Sequence, residues 1–173
     1  MLGIVANTKS APLRHGLPFA YRQAMRIALY QPEIAGNVGA ILRLAACLDV
    51  PVDIIDPCGF AFSDKKLRRS GMDYAERVVI ARHADWASFR AAAGRLVLMS
   101  SKASVPIDQF SFSPDDTLLM GQESAGVPDD VRAQCDAAIR IPMAAGLRSF
   151  NISVATGIAM FEALRQTGAL PKG

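Results

Sequence analysis

The chain has 173 residues, of which 51% are hydrophobic and 20% are charged, a balance typical of one globular enzyme domain. Its net charge of +3 does not by itself indicate a nucleic-acid binder, and no apolar run approaches the roughly 18 residues of a membrane span. The three cysteines form no CxxC pair, which disfavours a disulfide framework and a zinc site. We therefore expect a cytoplasmic protein that binds no metal and contacts no membrane.

The first half of the chain alternates apolar runs with helix and strand breakers. Residues 1–24 precede the first recognisable element and are expected to be a disordered extension, so that a single domain covers residues 25–173. A buried strand is predicted at residues 26–30, ended by Pro32, and Asn37 is predicted to cap the helix that follows. The further elements predicted before residue 94 are a strand at 52–56, a short basic helix at 63–70, a strand at 77–80 and a helix at 86–93.

The second half of the chain contains three apolar strands and a long final helix. The strands are predicted at residues 95–100, 117–121 and 137–142. Gly168 is predicted to stop the helix, and strands alternating with helices predict an α/β fold with a mostly parallel sheet and helices on both faces. The apolar residues that recur at helical spacing along the final helix are Phe150, Val154, Ile158, Phe161 and Leu164.

Three short segments, far apart in the chain, carry the strongest functional signal. They are residues 37–43 (NVGAILR), 121–128 (GQESAGVP) and 139–153 (IRIPMAAGLRSFNIS). Each has the pattern of a strand end or loop that turns into a helix, where free backbone N–H groups can grip a ligand. No GxGxxG fingerprint follows a strand and no GxxxxGK[ST] phosphate loop is present, which disfavours an ordinary dinucleotide or phosphate site.

Together with LYQPEIAGN and GFAFSDKKLRRSGMDY, these segments resemble the motifs of the SPOUT superfamily of RNA methyltransferases. The resemblance covers residues 25–168 and is strongest to the TrmL-type branch, which methylates the ribose 2′-oxygen of the tRNA wobble nucleotide. It implies a C-terminal trefoil knot, a homodimer, S-adenosylmethionine as cofactor with S-adenosylhomocysteine as product, and the tRNA anticodon stem-loop as substrate. Two alternatives stay open: 2′-O-methylation of ribosomal RNA by the same fold, and a catalytically silent RNA-binding dimer.

The resemblance also assigns the cofactor contacts. Main-chain groups at strand ends can read the edge of an adenine ring, and neighbouring apolar side chains can supply the walls of the pocket. The residues at the matching positions are Met99, Gly121, Glu123, Gly126, Ile141, Met143 and Ser149.

Catalysis is assigned by the resemblance to Arg43, Asn37, Asn151 and Ser149. A guanidinium with a pKa above about 12 is unsuited to accept a proton. We therefore expect Arg43 to grip the phosphate or ribose beside the target and to orient the 2′-oxygen in line with the methyl group. The proton can go to a phosphate oxygen or to water, and assistance by Ser149, Asn151 or Glu123 stays open.

A basic segment with aromatic neighbours is the predicted RNA-facing surface. Phe60, Phe62 and Tyr74 flank it, and cations combined with aromatic rings suit an anticodon loop whose bases are splayed out and can stack. The basic residues assigned to RNA binding are Lys65, Lys66, Arg68, Arg69 and Arg148.

Overall fold

The computed structural model of the protein describes residues 25–61 and 77–172, and these residues build one sheet of parallel strands covered by helices. The order of the strands across the sheet is β3-β2-β1-β6-β4-β7-β5. Within the described ranges the strands are β1 (Arg26–Tyr30), β2 (Val52–Ile55), β3 (Ile80–His83), β4 (Leu96–Met99), β5 (Val105–Pro106), β6 (Thr117–Met120) and β7 (Ala137–Arg140).

Helices lie on both faces of the sheet, as predicted. Among the residues that the structure describes, the α-helices are α1 (Ala35–Leu48), α2 (Trp86–Ala92), α3 (Asp129–Arg132) and α4 (Ile152–Thr167). Successive strand residues point to opposite faces, so Ile27 and Leu29 pack with α1 and α4, whereas Ala28 packs with α2 and α3. In the part of the chain that the structure describes, no helix is long and apolar enough to cross a bilayer.

The final helix buries small residues together with Met160 and Leu164, and it leaves Val154, Ile158 and Phe161 exposed. Thr156, Ala159 and Ala163 are buried, and an added Cβ at Gly157 would lie 3.8 Å from the Leu44 methyl groups of α1. Small residues allow the two helices to approach closely. The predicted helical spacing is confirmed for Val154, Ile158, Phe161 and Leu164, of which Leu164 alone is buried, whereas Phe150 lies before the helix.

One predicted strand needs correction, and two further predictions lie outside the described residues. The strand predicted at residues 77–80 is wrong in position, since β3 occupies Ile80–His83. Arg82 and His83 can lie in this strand because neighbouring carboxylates pair with their side chains. Arg82 donates to Asp56 at 2.6 Å, and His83 Nε2 lies 2.8 Å from Asp53. The basic helix predicted at residues 63–70 and the extension at 1–24 lie outside the described residues.

A buried ionic cluster joins the first three strands. Arg26 donates from Nε to Asp53 Oδ2 at 2.7 Å, and His83 contacts the other carboxylate oxygen. Burial acts to raise the pKa of Asp53, but the hydrogen bond with His83 and the charge of Arg26 outweigh it, and the pKa is lowered. The cluster thus holds an ionised carboxylate inside the fold.

Candidate active site

Three loops rise from the carboxyl-terminal edge of the sheet and meet there. They follow β1, β6 and β7 and span residues 31–34, 121–128 and 141–151. Since all strands of the sheet are parallel and β1 neighbours β6, these strand ends lie on the same edge. Crevices at this edge are the usual ligand sites of open α/β sheets.

Glu123 links the loop after β6 to the loop after β1. Its Oε2 accepts the backbone N–H of Glu33 at 3.0 Å, and its Oε1 accepts the side-chain amide N–H of Asn37 at 3.2 Å. The carboxylate is half-buried. One side chain therefore fixes two points of the 31–37 stretch.

Asn37 extends the connection to the third loop. Its Oδ1 accepts from Nδ2 of Asn151 at 3.1 Å, and Asn151 Oδ1 accepts the Ser153 N–H at 2.9 Å. Asn151 thereby caps α4. The prediction that Asn37 caps α1 is wrong: α1 begins at Ala35 after Ile34, which makes no side-chain cap bond. The Asn37 amide is instead committed to Glu123 and Asn151.

Glu33 forms a second link that the sequence did not reveal. Its carboxylate accepts the Ser124 backbone N–H at 2.8 Å and the Ser124 hydroxyl at 2.7 Å. These bonds lower the pKa of Glu33, the hydroxyl bond contributing most. An acidic residue directly after a strand-ending proline was the signal available in the sequence, but nothing local identifies its partner 91 residues away.

The loop after β6 is a tight turn closed by two glycines. Gln122 and Gly126 exchange backbone hydrogen bonds of 2.8 and 2.9 Å, and Gly126 has φ +72°. A Cβ at Gly121 would lie 2.5 Å from the carbonyl carbon of Gly126, so no side chain fits there. The turn therefore presents main chain at the edge of the sheet.

The proposed cofactor residues lie around this turn at the ends of neighbouring strands. Met99 ends β4, and Met99 and Ile141 are partly buried against the core formed by α1 and α4. Met143 is half-buried, and Gly146 has φ +86° with no atom within 4 Å of an added Cβ. The three loops therefore bring main chain at Gly121, Gly126 and Gly146 to the same edge of the sheet as the side chains of Met99, Ile141 and Met143.

The remaining predicted site residues are exposed or lie outside the description. Arg148 and Ser149 are exposed in the third loop, and Arg43 is exposed on α1, six residues after Asn37. The structure thus brings Asn37, Asn151 and Glu123 into direct contact. Lys65, Lys66, Arg68 and Arg69 fall in the range that the structure does not describe. Residues 25–61 and 77–172 contain no group of three or more His, Cys, Asp or Glu side chains that could hold a metal ion.

Comparison with known proteins places this architecture among RNA methyltransferases. A tRNA (cytidine(34)-2'-O)-methyltransferase from Beijerinckia indica subsp. indica is 52% identical over 150 residues, which cover 84% of this chain and 94% of that protein. A solved structure described as giving insights into the 2-OH methylation of C/U34 on tRNA is 38% identical, with a TM-score of 0.78, over 84% of this chain and 97% of the other.

A second solved structure carries the cofactor that the resemblance implies. The AdoMet-bound rRNA methyltransferase from Sinorhizobium meliloti is 31% identical, with a TM-score of 0.76, over 91% of this chain and 61% of that one. The model of the SpoU rRNA Methylase family matches residues 24–161. With its parallel sheet, its three converging loops and these relatives, the chain belongs to the SpoU methylase family.

Proposed function

We propose that this protein is an S-adenosylmethionine-dependent enzyme that methylates the ribose 2′-oxygen of the wobble nucleotide, cytidine or a modified uridine, in tRNA anticodon loops, and that it acts in the cytoplasm. The observation that carries the proposal is the convergence of the three loops through Glu123, Asn37 and Asn151. The relatives named above support the tRNA substrate. S-adenosylhomocysteine is the expected product.

The cofactor would be held mainly by main chain. Strand-end peptides at Met99, Gly121 and Ile141, with the turn at Gly126 and the loop at Met143 and Ser149, would contact it. When bound, the sulfonium supplies a methyl group with a good leaving group already attached, so that alignment is the main contribution asked of the protein. Gly121 and Gly126 carry no side chain that could block access to these peptide groups, and an added Cβ at Gly121 would lie 2.5 Å from Gly126.

The side chains near the loops would orient the ribose. Asn37 and Asn151 hold α1 and α4 in fixed relation, and Glu123 anchors Asn37. Arg43 would grip a phosphate or ribose oxygen beside the target, since its guanidinium offers a planar fork of donors. Ser149 is exposed in the third loop and would lie beside the reacting oxygen. The proton would leave to a phosphate oxygen or to water.

The RNA would be gripped by basic residues of the third loop and of the segment that follows β2 in the sequence. Arg148 is exposed in the third loop, and Lys65, Lys66, Arg68 and Arg69 follow the loop that leaves β2. Cations placed beside aromatic residues of the same segment suit an unstacked anticodon loop.

A trefoil knot around the final helix completes the proposed fold. The segment that joins β4 to β6 reaches α4, where Gln166 accepts the Phe112 N–H at 3.1 Å and donates to the Phe110 carbonyl at 3.0 Å. The strand order places β6 between β1 and β4, with β7 on the other side of β4. These contacts are the ones expected when α4 has passed through the loop formed by residues 100–116.

The outer face of α4 is the surface that a second copy would cover. Val154, Ile158 and Phe161 are 48%, 39% and 52% exposed, and they follow one another at helical spacing. Ile158 and Phe161 also line a cleft of about 690 Å³ beside Ile107. An apolar stripe of this kind is typical of an association surface, and a homodimer would bring it out of water.

The test is binding and turnover with a defined donor and two RNAs. Titration calorimetry of the full chain with S-adenosylhomocysteine should give about one site per subunit. A labelled methyl group should be transferred to tRNA in preference to ribosomal RNA. Mass mapping of the product should then place the methyl group on the wobble nucleotide. Gly121→Ala should abolish binding, because its Cβ would meet Gly126.

Two results would contradict this function. A folded protein that ignores S-adenosylhomocysteine at millimolar concentration would rule out the methyltransferase. Methylation of ribosomal RNA in preference to tRNA would favour the alternative suggested by the family name and by the Sinorhizobium meliloti structure.

A further inference from the structure

Glu33 and the Glu123–Ser124 pair bind each other reciprocally across two loops. The carboxylate of Glu33 accepts both the N–H and the hydroxyl of Ser124, and the carboxylate of Glu123 accepts the N–H of Glu33. We call these three residues the interlock. Because each loop supplies at least one donor and a carboxylate acceptor, neither loop can shift along the sheet edge without breaking hydrogen bonds to a charged group, which are the stronger kind.

The backbone under the interlock is also fixed. Gln31, two residues before Glu33, has φ +45°, a region that L residues other than glycine rarely adopt. Its N–H donates to Ile55 at 2.9 Å, and its side-chain oxygen accepts from Gln122 at 3.2 Å. The loop after β1 is thus tied to the loop after β6 at two points.

On its other side, Glu33 supports the loop that leads into the basic segment. The Gly59 N–H donates to the Pro32 carbonyl at 2.9 Å, and a Cβ at Gly59 would lie 2.9 Å from the Glu33 Cα. Gly59 therefore rests directly on the Glu33 backbone. Three residues after Gly59 begins the stretch 62–76, which holds the cations proposed to bind RNA.

We propose that Glu33 is a positioning residue that sets the register between α1, which carries Asn37 and Arg43, and the loop proposed to hold the cofactor. The proposal rests on the proposed function. Glu33 would act through its bonds to Ser124 and Glu123, while the Gly59 contact holds its backbone in place. Misalignment of reacting atoms by about 1 Å can cost about 100-fold in rate, so loss of the interlock should appear in turnover more than in binding.

The experiment compares Glu33→Ala and Ser124→Ala with the unaltered protein. For Glu33→Ala we expect kcat for tRNA methylation to fall about 10- to 100-fold, while the KM for tRNA and the Kd for S-adenosylhomocysteine change less than about threefold. Ser124→Ala keeps the hydrogen bond from the backbone N–H of residue 124, so kcat should fall less than in Glu33→Ala. The KM for tRNA and the Kd for S-adenosylhomocysteine should again change little. The double variant should be no slower than Glu33→Ala alone, since both changes break the same contact.

Asp115→Ala is the matched control, because Asp115 is an exposed acidic residue just before β6, at the opposite edge of the sheet. Its kcat should equal that of the unaltered protein. An unchanged kcat in Glu33→Ala, or a fall in cofactor affinity as large as the fall in kcat, would overturn the positioning role. If Glu33→Ala does not fold, Ser124→Ala provides the test: a lower kcat with nearly unchanged KM and Kd supports the positioning role, and an unchanged kcat overturns it. Absence of methyl transfer by the unaltered protein would instead refute the proposed function.

Discussion

At the scale of single residues, Asn37 shows how one amide can organise a site. Its side-chain N–H donates to Glu123, and its oxygen accepts from Asn151, so the two ends of one side chain hold two different loops. An aspartate in its place would lose the donor and set a second carboxylate against Glu123. The amide is therefore the residue type that this position requires.

Arg43 is the residue whose role is most directly open to test. Replacing Arg43 with Ala should lower the rate of tRNA methylation at least about 100-fold, because the 2′-oxygen would no longer be held in line. The Kd for S-adenosylhomocysteine, measured by calorimetry, should stay within twofold. Arg43→Lys should restore little, since an ammonium lacks the planar fork.

Arg90→Ala is the control, since Arg90 lies on α2 against the other face of the sheet. Its activity should match the unaltered protein. A parallel loss of cofactor affinity in Arg43→Ala would place the guanidinium in the cofactor pocket and refute the substrate-orienting role.

At the scale of elements, α4 connects the site to the outer apolar face. Its N-cap is Asn151, inside the hydrogen-bonded cluster, and its C-cap is Gly168, whose φ of +69° closes the helix. Between these ends it buries small residues and exposes Val154, Ile158 and Phe161. One helix thus serves both the site and the proposed association surface.

Phe161→Glu should dissociate the proposed homodimer. Burying a phenylalanine contributes about 1.5–3 kcal/mol, and a carboxylate in its place must also be desolvated. Sedimentation velocity should show a monomer at concentrations where the unaltered protein is a dimer. Ala91→Glu adds the same charge to an exposed position of α2 and should leave the dimer intact. A monomeric unaltered protein would refute the homodimer.

The elements also show what sequence patterns can and cannot reveal. Strands such as β1 and β6 are apolar throughout, so their positions followed from composition. β3 was misplaced because hydrophobicity favoured residues 77–80, whereas the strand includes Arg82 and His83, whose carboxylate partners lie on β2 or directly after it. In the site, the glycines and Asn151 could be identified from local motifs. The Glu33–Ser124 link could not, because it depends on β1 and β6 being neighbours.

At the scale of the whole molecule, the parallel sheet places its charged cluster inside and its loops at one edge. Arg26, Asp53 and His83 come from three adjacent strands and are 2%, 4% and 7% exposed. A buried guanidinium is tolerated only with its partner present. The stability of the sheet near β1 therefore depends on the ionisation of one carboxylate.

Asp53→Asn should lower the free energy of unfolding by about 3–5 kcal/mol at pH 7, because the buried Arg26 guanidinium loses the carboxylate charge that Asp53 places 2.7 Å from its Nε. Since folding lowers the pKa of Asp53, its contribution is complete above the ordinary carboxyl pKa and is lost as pH falls through the lower value in the folded protein. The difference in unfolding free energy between Asp53→Asn and the unaltered protein should therefore decrease as the pH is lowered.

Urea unfolding measured between neutral and acidic pH checks both statements. The exposed Asp115→Asn should change stability by less than about 0.5 kcal/mol. A gap for Asp53→Asn that stays constant across the pH range would show that the carboxylate is not the group responsible.

The contact between Gly121 and Gly126 has a consequence for how such a protein diverges. A peptide group keeps the same chemistry whichever residue carries it, so recognition by backbone survives while neighbouring side chains drift. An alanine scan that leaves glycines unchanged would pass over these two positions. Substitutions that add bulk at these two glycines would register there instead.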